Sequence, residues 1–397
     1  MKKEFSPELD ILIQAITNQF EQEGFAPIFT DLPYDTGRLS KLYRYHGIQA
    51  LIFSYERKEK FMAESIRTEV KLFMAQQVVK NLQYAAETTR LLKLFSEHQI
   101  PLLVLKGNIL IQGIYQNKQV RTTSDLDVLI EKKHLIQGLE ILLQDGYRIN
   151  SPNLSHLNIL PEDLKELIVN QSLHNEIHLQ KGIINLDFHW DLFQHFFYQK
   201  YQEKKPLIDR VFDLTEKLKF NGIETQQLNS EGLFWMLLAH HGGKESWFRL
   251  RHIQDFHAFM YQYDKKINWE LVISLVDDYR LTTAFKNALS ILKSYLDYKL
   301  PPILDNYLDN FDCSKIDLIV KEWEKASYWG SNRALTLRHL YLTTQFQDKD
   351  FAYFKHIIVY LKYFKTLKRM DHYPNAYSFS GFLNSSFLLL KRLIKKE

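Results

Sequence analysis

Across Glu56–His98 apolar residues recur at helical spacing, as at Ile66, Val70, Phe73, Met74, Val78 and Leu82, and no glycine interrupts the chain between Gly47 and Gly107. This predicts a helical N-terminal lobe. The pattern changes after Pro101, where the continuous apolar run Leu102–Leu105 reads as a buried strand ended by Lys106-Gly107. Helical periodicity resumes over residues 108–116. Asp125–Ile130 then runs Asp, Leu, Asp, Val, Leu, Ile, a strand with its polar groups on one edge, and a helix is expected over about 132–144. Ser172–Trp190 reads as two strands joined by a two-residue turn at Lys181-Gly182. The remainder is mostly helical apart from a turn or hairpin near Asn221-Gly222, and no internal repeat is evident. The expected fold class is α+β, a small mixed-sheet core at residues 99–192 between a helical N-terminal lobe at 1–98 and a mainly helical C-terminal lobe at 193–397.

Composition agrees with long helices and few tight turns, because 14 glycines and 10 prolines in 397 residues are about half the usual share. The 51 basic and 47 acidic side chains give a formal charge of +4, spread along the chain, which does not describe a duplex-binding surface, so nucleic acid is not an expected partner. The single cysteine, Cys313, excludes an intramolecular disulfide and a multi-cysteine zinc site. MKKEFSPELD is interrupted by acids and proline before any apolar run and does not read as a signal peptide. No segment approaches the roughly 20 apolar residues of a transmembrane helix. The cytoplasm is the expected location. Lys391, Arg392, Lys395 and Lys396 are expected on the solvated face of a terminal helix rather than on a membrane.

Asp125 and Asp127, two apart on a strand, project to one face and can hold a hard divalent ion such as Mg²⁺, which takes carboxylate, phosphate and water oxygens. Upstream, the order strand, Lys106-Gly107, helix offers a residue without a side chain and the free amides of a helix N-terminus, both suited to phosphate. Downstream, Asn185, Asp187 and His189 alternate with Leu186, Phe188 and Trp190, so Asp187 lies on a polar strand face. A hairpin turning at Lys181-Gly182 would set Glu176 opposite Asp187 and His174 opposite His189. Such a carboxylate-rich face needs a cation or water.

The run LLVLKGNILIQGIYQNKQVRTTSDLDVLI resembles the uncharacterised bacterial nucleotidyltransferases that carry a KG, then an Arg, then a D-[IL]-D-[LV]-L strand, an outlying branch of the polymerase-β-like superfamily. Lys106-Gly107, Arg121, Asp125 and Asp127 match, and Asp187-Phe188-His189-Trp190 matches the family's later acid-x-His-Trp motif. Tyr45-His46-Gly47-Ile48 resembles a helix-ending His-Gly-[VI]. HGGKESWFRLRHIQD resembles a helical motif matched by His241, Gly242, Lys244, Trp247, Arg249, Leu250 and Asp255, with Glu245 and His252 where the motif has His and Trp. The likeness covers roughly residues 40–260. Asn108 replaces the serine of the wider superfamily and the spacing from Gly107 to Asp125 is longer, so Lys106, Arg121 and Ser124 are expected to share the phosphate contacts.

The resemblance implies transfer of a nucleoside monophosphate from a nucleoside triphosphate, with ATP expected, to a hydroxyl of a small molecule or modified peptide, releasing pyrophosphate. Asp125, Asp127 and Asp187 would hold Mg²⁺ or Mn²⁺, Asp187 as ligand or base, and Lys106, Gly107, Arg121, Ser124 and Lys244 would bind the nucleotide. Nucleotidylation of a partner protein and a non-catalytic nucleotide-binding or interaction role are the alternatives. Lys244, Arg251 and Asp255 fall at i, i+7 and i+11 of a presumed helix, either facing phosphates or leaving an Arg251–Asp255 surface pair. His240-His241 before Gly242-Gly243 suits a helix C-terminus as well as a catalytic role. His174 and His178 have the spacing of a helical zinc pair but lie in a strand pattern, and the aromatics fall at core spacing.

Overall fold

The computed structural model describes residues 5–20, 33–59, 64–116, 120–150, 176–192, 211–279 and 281–326. His174 and the basic C-terminal residues lie outside this set. The architecture is α+β, with a five-stranded mixed sheet, a separate two-stranded hairpin, and helices before and after them. Among the described residues no helix is long and apolar enough to cross a membrane.

Four helices come first: α1 (Pro7–Thr17), α2 (Thr36–His46), α3 (Gln49–Glu59) and the 34-residue α4 (Glu64–Glu97). Ser6 caps α1 by accepting from the Leu9 amide, and α2 stops where Gly47 takes φ 70 and its amide donates back to the Arg44 and Tyr43 carbonyls. That left-handed C-terminal cap is where glycine is favoured. The expected stripe on α4 divides. Val70 and Met74 are buried, whereas Val78 and Leu82 are 42% and 67% exposed. The helix is long enough that its two halves pack on different clusters, and the midsection between them faces outward.

The sheet comprises β1 (Leu102–Val104), β2 (Leu126–Ile130), β3 (Arg148–Ile149), β4 (Glu176–Lys181) and β5 (Ile184–His189), in the order β1-β2-β5-β4-β3. Only β2 and β5 run parallel; the other neighbours are antiparallel. α5 (Asn108–Gln112) follows β1, and α6 (Leu135–Gln144) follows β2 after a short 3-10 turn. The β4–β5 register corrects the expected one: Glu176 faces His189 and His178 faces Asp187, with Lys181 opposite Ile184. The loop is therefore Gly182-Ile183. Gly182 at φ 57 occupies the first loop position, where a tight two-residue turn needs its left-handed residue. Because this slip moves every partner by two, the faces are unchanged and Asp187 keeps its polar side.

Alternation along β2 sends Leu126, Val128 and Ile130 into one cluster with Leu91, Phe95 and Leu139, and turns Leu129 the other way, toward a larger helical cluster. Asp125 and Asp127 share the face of Leu129 and so look toward the helices. The larger cluster joins α1–α3 to helices from the far end of the chain, here α7 (Ser230–Leu237), α8 (Leu250–Tyr263), α9 (Trp269–Asp278), α10 (Thr282–Tyr295), α11 (Pro302–Tyr307) and α12 (Ile316–Lys325). Ahead of α7 stands the hairpin β6 (Thr215–Phe220) and β7 (Ile223–Leu228), closed by Asn221-Gly222 with φ 46 and 86, as the sequence suggested.

Gly138 on α6 lies directly against the sheet. A Cβ there would sit 2.7 Å from Ile130 Cδ1 and 3.0 Å from Phe188 Cζ, both on buried side chains. Alanine in a helix normally gains about 0.5–1 kcal/mol over glycine, but overpacking typically costs ~1–3 kcal/mol. Gly138→Ala should therefore lower the urea midpoint, and a raised midpoint would show that the layer has slack.

Candidate active site

Parallel pairing of β2 with β5 sets Asp127 beside Asp187 and Leu129 beside His189. Asp125 stands one residue before β2, and the ends of both strands are fixed by Tyr84 of α4. Its hydroxyl donates to the Ser124 carbonyl at 2.9 Å and accepts from the Asn185 amide at 3.1 Å. β1 pairing continues one residue past its end, with the Leu105 amide donating to the Asp127 carbonyl at 2.9 Å, so the next side chain, Lys106, is delivered to the Asp127 carboxylate.

Asp127, 3% exposed, accepts from Lys106 Nζ at 2.7 Å and lies 3.2 Å from His189 Nε2. The other ring nitrogen of His189 is 3.2 Å from Glu176 Oε2 without hydrogen-bond geometry, and Glu176 accepts from Lys244 Nζ at 2.7 Å. Lys106, Asp127, His189, Glu176 and Lys244 thus form a chain of polar contacts from the sheet to the helical layer. Burial works to raise the Asp127 carboxyl, but Lys106 and His189 hold it well below the ordinary carboxylate range. Glu176, likewise opposed by burial, is lowered to about 2 by His189 and Lys244. Asp125 goes the other way: burial, then the negative charges of Asp127 and Asp187, raise it against the pull of Lys106. Ser124 Oγ donates to Asp125 at 2.9 Å, and Asp187 is 2.5 Å from His178 Nδ1, a bond that raises the His178 imidazole.

Asp127, Asp187 and His189 each offer a ligand atom within 4.8 Å of the others. Together with Asp125 this brings three carboxylates and one imidazole nitrogen to one place, a donor set able to hold a divalent metal ion. Next to it Gly107, at φ 73 and ψ −124, begins α5, and a Cβ there would come within 3.1 Å of Thr123 Cγ2. Only glycine keeps this backbone open to a ligand without strain.

The opposite wall comes from the helical layer. α7 runs into a π-helical segment, Leu238–Lys244, a form common at functional sites. Gly242 packs under the Trp247 ring, and Trp247, fully buried at φ 60, donates from Nε1 to the Ala284 carbonyl at 2.8 Å. This left-handed tryptophan is a strained turn held by its packing, and it starts α8 toward the sheet. The presumed continuous helix is thereby corrected: Lys244 lies on the π segment and Arg251 on α8, although both still line the cleft. Asp255 is no surface partner of Arg251. It is fully buried, accepting from Arg121 Nε at 2.8 Å and Tyr115 Oη at 2.6 Å, with His241 Nε2 at 3.0 Å. Burial opposes its charge, yet Arg121 and His241 hold it far below the normal range.

The cleft between these walls has a volume of about 270 Å³. Lys106, Gly107, Arg121, Ser124, Asp125, Asp127, Asp187 and Lys244 all line it, although Arg121 also spends its Nε on Asp255. His240, which the sequence left between a helix C-terminus and a catalytic role, lines it too, as do Arg249 and His252, which were given no site role there. The alternation Arg249-Leu250-Arg251 at a helix start was the available signal.

Asp255→Asn should leave Arg121 buried without its counter-charge, a change of the kind that costs about 3–5 kcal/mol. Chemical denaturation should show this loss, and a cost below ~1 kcal/mol would mean that Arg121 reaches solvent.

A family model described as an uncharacterised nucleotidyltransferase matches residues 33–297, and no curated protein or solved structure matches the chain. The matched span runs from before α2 to beyond α10 and takes in the three aspartates and both walls of the cleft. An enzyme of nucleotidyl transfer, the chain belongs to this family of uncharacterised nucleotidyltransferases.

Proposed function

We propose that the cleft moves a nucleoside monophosphate from a nucleoside triphosphate, with ATP the expected donor, onto a hydroxyl of a small molecule or modified peptide. The observation that carries this reading is the pairing of Asp127 with Asp187 beside Asp125, facing a wall of lysine and arginine. Asp125, Asp127 and Asp187 are suited to hold Mg²⁺ or Mn²⁺, which when bound would neutralise charge on the triphosphate. In the reaction the acceptor oxygen forms a bond to the α-phosphorus while the bond from that phosphorus to the bridging oxygen breaks. The electron pair leaves on pyrophosphate, and the hydroxyl proton passes to the Asp187 carboxylate. Lys106 and Lys244, both already at carboxylates of the cleft, neutralise charge that develops on the phosphoryl oxygens, and Gly107 lets the backbone approach them. Arg121 supports the same end, and Ser124 orients Asp125. The formal charge of +4, spread along the sequence, favours a small or peptidic acceptor over nucleic acid.

Incubation with α-labelled triphosphates and cell extract should transfer label to a compound of low mass. Label appearing on a protein would make a partner protein the acceptor, and no label with any triphosphate would sink the transfer reaction.

Asp125→Asn and Asp127→Asn should each reduce transfer more than tenfold, on the order of losing a ligand of an essential metal. Their apo stabilities should differ. The raised Asp125 carboxyl means that its charge destabilises the fold above the ordinary carboxylate range, so Asp125→Asn should melt no lower than wild type at pH 7. Asp127→Asn removes the partner of buried Lys106 and should melt lower. Mg²⁺ and ATP together should raise the wild-type melt, by an amount equivalent to about 2.7 kcal/mol at a hundredfold excess over Kd, and EDTA should abolish the shift.

A further inference from the structure

Two motifs with no assigned task meet at one corner of the cleft. His46, the last residue of α2, is fully buried, and its Nδ1 accepts from the Leu250 amide at 3.1 Å across 204 residues of sequence. His46 Nε2 is 3.1 Å from the Trp323 carbonyl and donates to it, so the ring is the neutral tautomer with its proton on Nε2. This bond takes up one of the free amides at the start of α8, whose first residues face the cleft. The same turn seats two guanidinium groups. Arg249 stacks 5.6 Å above the Tyr45 ring. Arg251 lies along Gly47, where a Cβ would stand 3.0 Å from its Cδ and 3.3 Å from Nη1.

Arg251 has no ion pair or hydrogen bond among the described residues, unlike Arg121 beneath it. His252, 4% exposed, lines the same cleft, and its Nδ1 has no hydrogen-bond partner. Two guanidiniums and an imidazole nitrogen without a hydrogen-bond partner come together at this corner of the cleft, a grouping chemically suited to a polyanion. Its place across the sheet says which anion. From β1 outward the order is Gly107, then Asp125 and Asp127 on β2, then Asp187 on β5 and His178 on β4. An acceptor entering on the Asp187 side requires the leaving group on the opposite side for in-line displacement. That is the side of Gly107, Arg121 and Arg251, and Asp125 is the cleft carboxylate whose charge acts on both arginines.

We propose that Arg249 and Arg251 form the subsite for the terminal phosphates of the donor and for the pyrophosphate it releases, with Gly47 as the residue that positions Arg251. The assignment rests on the nucleotidyl-transfer reading above. It gives the helix-ending Tyr45-His46-Gly47 a task at the site, and it makes the enzyme selective for triphosphates over monophosphates.

The test uses the full chain with Mg²⁺, inorganic pyrophosphate and ATP, read by thermal melts and calorimetric titration. Wild type should be stabilised by either phosphate compound. Arg251→Gln should melt no lower than wild type without ligand, because the guanidinium makes no ion pair or hydrogen bond among the described residues, while losing the pyrophosphate shift and binding ATP roughly tenfold more weakly or worse. Gly47→Ala should weaken pyrophosphate in the same way, and combining it with Arg251→Gln should add no further loss, the non-additivity expected if both act through one contact. An Arg251→Gln protein that binds both compounds as wild type does, or additive losses in the double variant, would overturn the subsite while leaving the transfer reaction standing. Wild type that binds pyrophosphate and ATP under no condition would overturn both.

Discussion

Setting two carboxylates side by side on parallel strands is electrostatically unfavourable, and much of this molecule is arranged around that constraint. Asp127 and Asp187 are register partners, with Asp125 at the mouth of the same strand. Buried charge of one sign must be compensated or neutralised. Asp127 is compensated on both sides, by Lys106 from the neighbouring antiparallel strand and by His189 from the parallel one. Glu176 in turn accepts from Lys244 in the helical layer. Asp125 is left with the weakest compensation, which is why its carboxyl is raised while that of Asp127 is lowered. The cleft therefore sets carboxylates on the sheet against Lys244, Arg249 and Arg251 on the facing wall.

That facing wall depends on a second buried carboxylate. Asp255 takes Arg121 and Tyr115 from the sheet side and His241 from the π-helical segment, so one side chain fastens the loop before β2 to both pieces of the helical wall. With Asp255 saturated by Arg121, Arg251 four residues earlier on the same helix is left for the cleft. The His46 imidazole does comparable work at the far corner, joining α2 to α8 and, through the Trp323 carbonyl, to α12. Trp323 in turn donates from Nε1 to the Trp247 carbonyl at 2.9 Å, which ties α12 to the strained turn before α8. Helices that precede and follow the sheet in sequence therefore meet in one apolar cluster behind the cleft.

Local sequence determined the parts whose physics is local. Apolar periodicity marked α4 and α6, Asn221-Gly222 marked the hairpin between β6 and β7, and strand alternation put Asp125 with Asp127 and Asp187 with His189 on polar faces. The KG and D-x-D motifs pointed to the family and to the cleft residues around them. Tertiary structure decided everything that depends on which elements lie side by side. Periodicity cannot distinguish turning at Lys181-Gly182 from turning at Gly182-Ile183, since both keep the same faces, so the partners of Asp187 and His189 emerged only from the register. Helical spacing could not show that the chain leaves the α-helix at Leu238 and restarts at Leu250, because that break is stabilised by Trp247 packing on Gly242 and bonding to Ala284. Nor could it assign Asp255 to Arg121, 134 residues away, instead of to Arg251 one turn earlier. Charges pair with whatever the fold brings within reach, and in this chain the decisive partners are distant in sequence.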